Sequence, residues 1–148
     1  MADLRPILLV EDNPRDLELT LAALAKCQLA NEIVVARDGA EALDFLYGRG
    51  QFADRGGAAP AVVLLDLKLP KIDGLEVLEK VKNDPGQRQI PVVMLTSSRE
   101  ERDLVRSYEL GVNAYVVKPV AFTEFVAAVK VVGQFWAVVN QRPVAGRT

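Results

Sequence analysis

The sequence predicts an α/β fold: one doubly wound sheet of five parallel strands with five helices packed on its two faces. Three observations predict it. Five short runs (Ile7–Val10, Ile33–Ala36, Val62–Leu65, Val92–Leu95 and Tyr115–Val117) are rich in Val, Ile and Leu and mostly do not alternate with polar residues. Strands read that way when both faces of a parallel sheet are covered. Helical patterns with start and stop signals lie between the runs, so strand and helix alternate, and right-handed crossovers then place helices on both sides.

The elements follow in chain order. After the first strand, Asn13 is placed to cap a helix with Pro14 at its first position and Leu17, Leu21 and Leu24 on one face. Cys27 continues that apolar pattern and reads as a core thiol. A second helix follows Asp38-Gly39 and carries Ala42, Leu43 and Leu46 inward. The stretch from Gly48 to Pro60 holds four glycines and charges of both signs, which reads as a long surface loop. A third helix follows Gly74, with Leu75, Leu78 and Val81 inward, and stops at Asn83-Asp84-Pro85-Gly86. Ser98-Arg99-Glu100-Glu101 has the pattern of a capping box and opens a fourth helix that closes at Gly111. A fifth helix is expected from about Phe122 to Asn140. One domain over 4–140 fills the chain, and 141–148 reads as a short frayed tail.

Composition narrows the function. At 148 residues the chain suits one domain, half apolar and about a quarter charged. A net charge of −2 gives no basic footprint for nucleic acid. A single cysteine excludes an internal disulfide. No basic leader precedes an apolar stretch at the start, and the late apolar segment Phe125–Val139, broken by Lys130 and Gln134, is too short for a bilayer. The cytoplasm is the expected compartment. The chain contains no histidine, which removes Ser–His–Asp and Cys–His catalysis and imidazole metal sites. Any metal must be held by oxygens, favouring magnesium, calcium or manganese.

In such a sheet, ligands gather beyond the carboxyl ends of the strands. Glu11 and Asp12 follow the first run, Asp66 ends the third, Thr96 and Ser97 follow the fourth, and Lys118 follows the fifth. Each has a bland reading: an acidic turn, a loop cap, a helix start, a snorkelling lysine. Delivered together to one edge, three carboxylates need a cation to offset like-charge repulsion. An ionised carboxylate can attack phosphorus to form an acyl phosphate, with a metal and a lysine neutralising the transferring group. A nearby hydroxyl that bonds the new phosphate makes a switch.

The whole chain resembles the receiver domains of two-component response regulators. The resemblance rests on Val10-Glu11-Asp12-Asn13, on Leu64-Leu65-Asp66-Leu67-Lys68-Leu69-Pro70 with Asp73-Gly74, on Leu95-Thr96-Ser97, and on Tyr115-Val116-Val117-Lys118-Pro119, at the family's spacings. It implies the flavodoxin-like strand order 2-1-3-4-5. It also implies that Asp66 is the phosphoacceptor, supplied by a phosphohistidine of a partner histidine kinase, since this chain has no histidine. Asp12 would bind Mg2+ (or Mn2+) directly and Glu11 directly or through water, with Asp66 and the backbone carbonyl of Lys68 as further ligands. Thr96 would be the switching hydroxyl and Lys118 the phosphate-binding cation. Tyr115 would turn inward when Thr96 moves, the alternative being a surface aromatic on an edge strand.

Within the family the chain looks closest to small stand-alone regulators associated with bacterial phytochrome kinases. The cues are Glu11-Asp12-Asn13-Pro14, the loop ending at Pro60, Lys82-Asn83-Asp84-Pro85 and Phe135-Trp136. Lys68 and Ser98, each two places after a site residue, depart from many members. They offer neither an amide nor a carboxylate to orient a hydrolytic water, so slow self-dephosphorylation is expected. No DNA-binding module is expected after the last helix. That helix carries two apolar stripes, one with Phe125 and Trp136 and one with Val131 and Phe135, and only one can face the sheet. A homodimer through the last strand and helix is the simplest use of the other. Three rivals remain: an aspartate-nucleophile phosphatase or phosphotransferase, which lacks a second Asp two residues after Asp66 and a cap domain; an interaction module that is never phosphorylated; and a flavin binder, which lacks a phosphate-cradling loop after the first strand.

Overall fold

The computed structural model describes residues 5–26, 29–55, 59–118, 123, 124, 126, 127, 130 and 131. Five strands, β1 (Ile7–Val10), β2 (Ile33–Ala36), β3 (Val62–Leu65), β4 (Val92–Thr96) and β5 (Ala114–Val117), alternate with α1 (Pro14–Ala25), α2 (Gly39–Tyr47), α3 (Gly74–Asn83) and α4 (Glu101–Glu109). All neighbouring strands run parallel in the order β2-β1-β3-β4-β5. That is the flavodoxin-like order, and the first three strands have the bounds read from the sequence. Of the expected fifth helix, residues 123, 124, 126, 127, 130 and 131 are helical.

Side chains alternate across the sheet and divide the core in two. Leu8, Val10, Val63, Leu65 and Met94 point to α2 and α3, where Phe45, Leu46, Val77, Leu78 and Val81 meet them. Ile7, Leu9, Leu64, Val93 and Leu95 point the other way, against Leu17, Ala23 and Leu24 of α1. β1, β3 and β4 are buried along their whole length, whereas β2 and β5, at the edges, are mostly half-buried. Burying apolar surface on both faces is what fixes this register.

Helix starts are set locally. The Asn13 carboxamide accepts the Arg15 and Asp16 amides, Asp38 accepts the Glu41 amide and Asp73 the Glu76 amide. α4 departs from the expected capping box. Its N-cap is Glu100, without a side-chain cap bond, and the Ser98 hydroxyl two residues earlier donates to Asp103 at 2.5 Å. The loop before β3 is also more ordered than its glycines suggest. Gly50–Arg55 form a 3-10 helix that lays Phe52 edge-on against Phe45 at 5.3 Å between ring centres. The Arg55 guanidinium lies 3.6 Å over the Phe45 ring and donates to the Phe45 carbonyl.

The loop between β3 and α3 is drawn tightly onto the sheet edge. A Cβ on Gly74 would lie 2.2 Å from the Asp66 carbonyl oxygen, and one on Gly39 would lie 1.8 Å from that of Ile72; only glycine permits either approach. Between these contacts Lys71 adopts a left-handed backbone (φ 64°), and its ammonium pairs with Asp38 at 3.3 Å. Among the described residues, no helix is long and apolar enough to cross a membrane.

Candidate functional site

Parallel pairing of Val10 with Leu65 brings the residues that follow them, Glu11 and Asp66, side by side. The Asp66 amide donates to the Val10 carbonyl at 3.1 Å and the Glu11 amide to the Ala36 carbonyl at 3.0 Å, so both backbones are extensions of the sheet. Carboxylate oxygens of Glu11, Asp12 and Asp66 all lie within 4.8 Å of one another. Glu11 is buried, Asp66 half-buried and Asp12 exposed, giving a cluster open at one side.

Lys118 crosses to this cluster from the end of β5, where its amide donates to the Thr96 carbonyl at 2.7 Å. Its side chain is only 8% exposed; the ammonium bonds the Glu11 carboxylate and lies 3.1 Å from Asp16 and 3.6 Å from Asp66. Burial raises the Glu11 pKa to about 7, helped by the hydrogen bond with Asp66 and opposed by Lys118. Burial alone would lower the lysine, but its bond to Glu11 and the charges of Asp66 and Glu11 hold it above the usual value. The lysine is therefore a fixed positive charge. Its single positive charge faces three carboxylates, Glu11, Asp16 and Asp66, while the Glu11 pKa is raised chiefly by burial. An all-oxygen set with unmet demand for positive charge, open on one side, fits a hard divalent cation.

Thr96, at the end of β4, is buried, and its hydroxyl accepts the Ser98 amide at 3.2 Å. Tyr115, half-buried on β5, donates its hydroxyl to the Ser98 carbonyl at 3.1 Å, so it is tied into the β4–α4 loop and is not a free surface aromatic. Burial and the nearby charges of Asp103, Glu100 and Asp66 raise its pKa and keep the phenol neutral. Lys68 extends an exposed side chain from the loop after Asp66. It shares a cleft of about 490 Å³ with Leu67, Leu69, Asp73, Leu75 and Asp103. A larger groove between α2 and α3 contains none of these site residues.

The structure thus unites Glu11, Asp12, Asp66 and Lys118, and sets Thr96 at the end of β4 with Tyr115 on the neighbouring β5. Phe125, Phe135, Trp136 and Cys27 lie outside the described residues. Asp16 was missed by sequence reasoning. An acid in the first turn reads as an ordinary partner of the helix dipole, and only the reach of Lys118 across the sheet reveals its second contact.

Chemically, the arrangement offers a half-buried carboxylate nucleophile, an ammonium beside it and oxygen ligands for a cation. Comparison with known proteins agrees. The response regulator receiver domain family matches residues 7–130. Response regulator Rcp1 of Synechocystis sp. is 40% identical over 130 residues, 88% of this chain and 87% of that protein. Its Mn2+-bound crystal structure superposes with a TM-score of 0.85 at 38% identity, covering 95% of this chain and 99% of that one. The bacteriophytochrome response regulator AtBRR is 71% identical, covering 94% of this chain and 99% of that one, with a TM-score of 0.76. The phosphorylated cyanobacterial phytochrome response regulator RcpA is 41% identical, covering 95% and 99%, with a TM-score of 0.87.

Proposed function

The chain belongs to the response regulator receiver domain family, and we propose that its signalling event is phosphorylation of Asp66 by a partner histidine kinase in the cytoplasm. The observation that carries this reading is the buried Lys118 ammonium, which bonds Glu11 and lies 3.6 Å from Asp66. A carboxylate oxygen of Asp66 forms a bond to phosphorus while the phosphorus–nitrogen bond of the donor phosphohistidine breaks and the imidazole leaves. None of these 148 residues is histidine, so the donor phosphohistidine lies outside them. Glu11, Asp12, Asp66 and the Lys68 backbone carbonyl would hold Mg2+ or Mn2+, which when bound neutralises charge on the phosphoryl oxygens. Lys118 stabilises the same charge from the other side, and the Thr96 hydroxyl donates to a phosphoryl oxygen once it is in place. The domain acts only on its own carboxylate.

The partner is a bacteriophytochrome kinase in this reading, supported by the likeness to AtBRR and RcpA. A homodimer through β5 and the segment after it is supported by Val131, 68% exposed in that segment. The phosphoryl group is long-lived, because Lys68 and Ser98 supply no amide or carboxylate side chain to orient water. Incubation with acetyl phosphate and Mg2+, followed by intact mass, tests the central step. A single added phosphate that is absent in Asp66→Asn supports it. Multiple turnover of small phosphate esters would favour a phosphatase, and no adduct would favour an unphosphorylated module.

A further inference from the structure

We propose that Ser98 and Asp103 form the link that carries the state of Asp66 from Thr96 to helix α4; the inference rests on the phosphoacceptor reading above. Ser98 stands at a junction. Its amide donates to the Thr96 hydroxyl at 3.2 Å, and its carbonyl accepts the Tyr115 hydroxyl at 3.1 Å. Its own hydroxyl donates to an Asp103 carboxylate oxygen at 2.5 Å and accepts the Glu100 amide at 3.4 Å. The backbone of one residue thus holds both expected switch groups, and its side chain holds the first turn of α4.

The rest of α4 is lightly anchored. Glu100 supplies no side-chain cap, and Ser107 is the one buried residue of the helix. Leu104, Val105 and Tyr108 are 38%, 48% and 53% exposed. The Ser98–Asp103 bond therefore stands in for the missing cap. Asp103 also forms one wall of the cleft that Lys68 lines beside the phosphoacceptor loop, so its carboxylate sits where the β3–α3 loop and α4 meet. When Thr96 shifts toward a phosphoryl oxygen on Asp66, the Ser98 amide bonded to it shifts too. The Ser98 carbonyl then moves at Tyr115, and its hydroxyl moves the first turn of α4. The apolar strip Leu104, Val105 and Tyr108 is repositioned as a consequence. Ser98 and Asp103 are positioning residues in this scheme and take no part in the chemistry.

The test is hydrogen exchange of amides 101–109, measured on the full chain with and without acetyl phosphate and Mg2+, with phosphorylation scored by intact mass in the same samples. In the wild type, phosphorylation changes exchange across α4 several-fold. In Asp103→Ala the phosphate adduct still forms but the α4 response falls to less than half. Asp103→Asn, whose amide oxygen still accepts the Ser98 hydroxyl, keeps the response. Ser98→Ala gives the same loss as Asp103→Ala, and the double variant loses no more than either. A full α4 response in Asp103→Ala, or additive losses in the double variant, would overturn the link while leaving the phosphoacceptor reading intact. Failure of the wild type to take up phosphate would overturn the reading beneath it.

Discussion

Replacing Lys118 with methionine removes the ammonium that Glu11, Asp16 and Asp66 share while keeping a side chain of similar length. At 3.6 Å from Asp66 and an effective dielectric constant of about 20, the direct attraction is about 4 to 5 kcal/mol per pair. The lysine is 8% exposed, so much of that gain offsets its own desolvation, and the net loss on breaking the pair in metal-free buffer should be about 3 kcal/mol. Protonation of Glu11 sets the pH dependence. Its folded pKa of about 7 lies above the ordinary 4.5, so its stabilising contribution is complete below 4.5 and is lost as pH rises through 7. Lys118 holds that pKa down, so Glu11 keeps its proton to higher pH in the variant. Each pH unit over which only the variant keeps it costs about 1.4 kcal/mol. Urea unfolding in EDTA at pH 6 and pH 8 should show a destabilisation that is larger at pH 8. Saturating Mg2+ should stabilise the wild type by about 2.7 kcal/mol at a hundredfold excess over Kd. A variant within about 0.5 kcal/mol of wild type at pH 8, or a difference that does not grow with pH, would refute this account of the cluster.

Asp38→Ala removes the α2 cap and the Lys71 pair and should cost about 1 kcal/mol, measured by urea unfolding at pH 7. The Glu41 amide, with smaller help from Lys71, holds the Asp38 pKa below 3.8. The wild-type advantage should therefore be complete above 3.8 and fade as pH falls below it. Lys68→Asn supplies an amide two places after the phosphoacceptor and should shorten the phosphoryl lifetime, followed as decay of the phosphorylated mass. An unchanged rate would remove Lys68 from the explanation of slow hydrolysis. Sedimentation at tens of micromolar should show a dimer, and a strictly monomeric mass with and without phosphorylation would remove the dimer.

The fold was legible where local chemistry decides it. β1, β2 and β3 coincide with unbroken apolar runs, and α1, α2 and α3 begin where Asn13, Asp38 and Asp73 find amides to accept. The candidate site was legible because parallel strands end together, which brings Glu11 beside Asp66 and Lys118 opposite them. What stayed hidden depends on contacts distant in sequence. The Gly-rich loop before β3 gives no hint that Phe52 and Arg55 both pack against Phe45. Ser98 reads as a helix cap until Asp103 is seen to take its hydroxyl. Asp16 became part of the site only through a lysine over a hundred residues away.

The central claim, that Asp66 is the residue that carries the phosphoryl group, is tested most directly by trapping the acyl phosphate with borohydride and mapping the peptides. Reduction converts a phosphorylated aspartate to homoserine. The account predicts homoserine at position 66, only in samples treated with phosphodonor and Mg2+, and none at Asp12 or Asp16. Homoserine at another carboxylate, or none at position 66 in samples treated with phosphodonor and Mg2+, would contradict it.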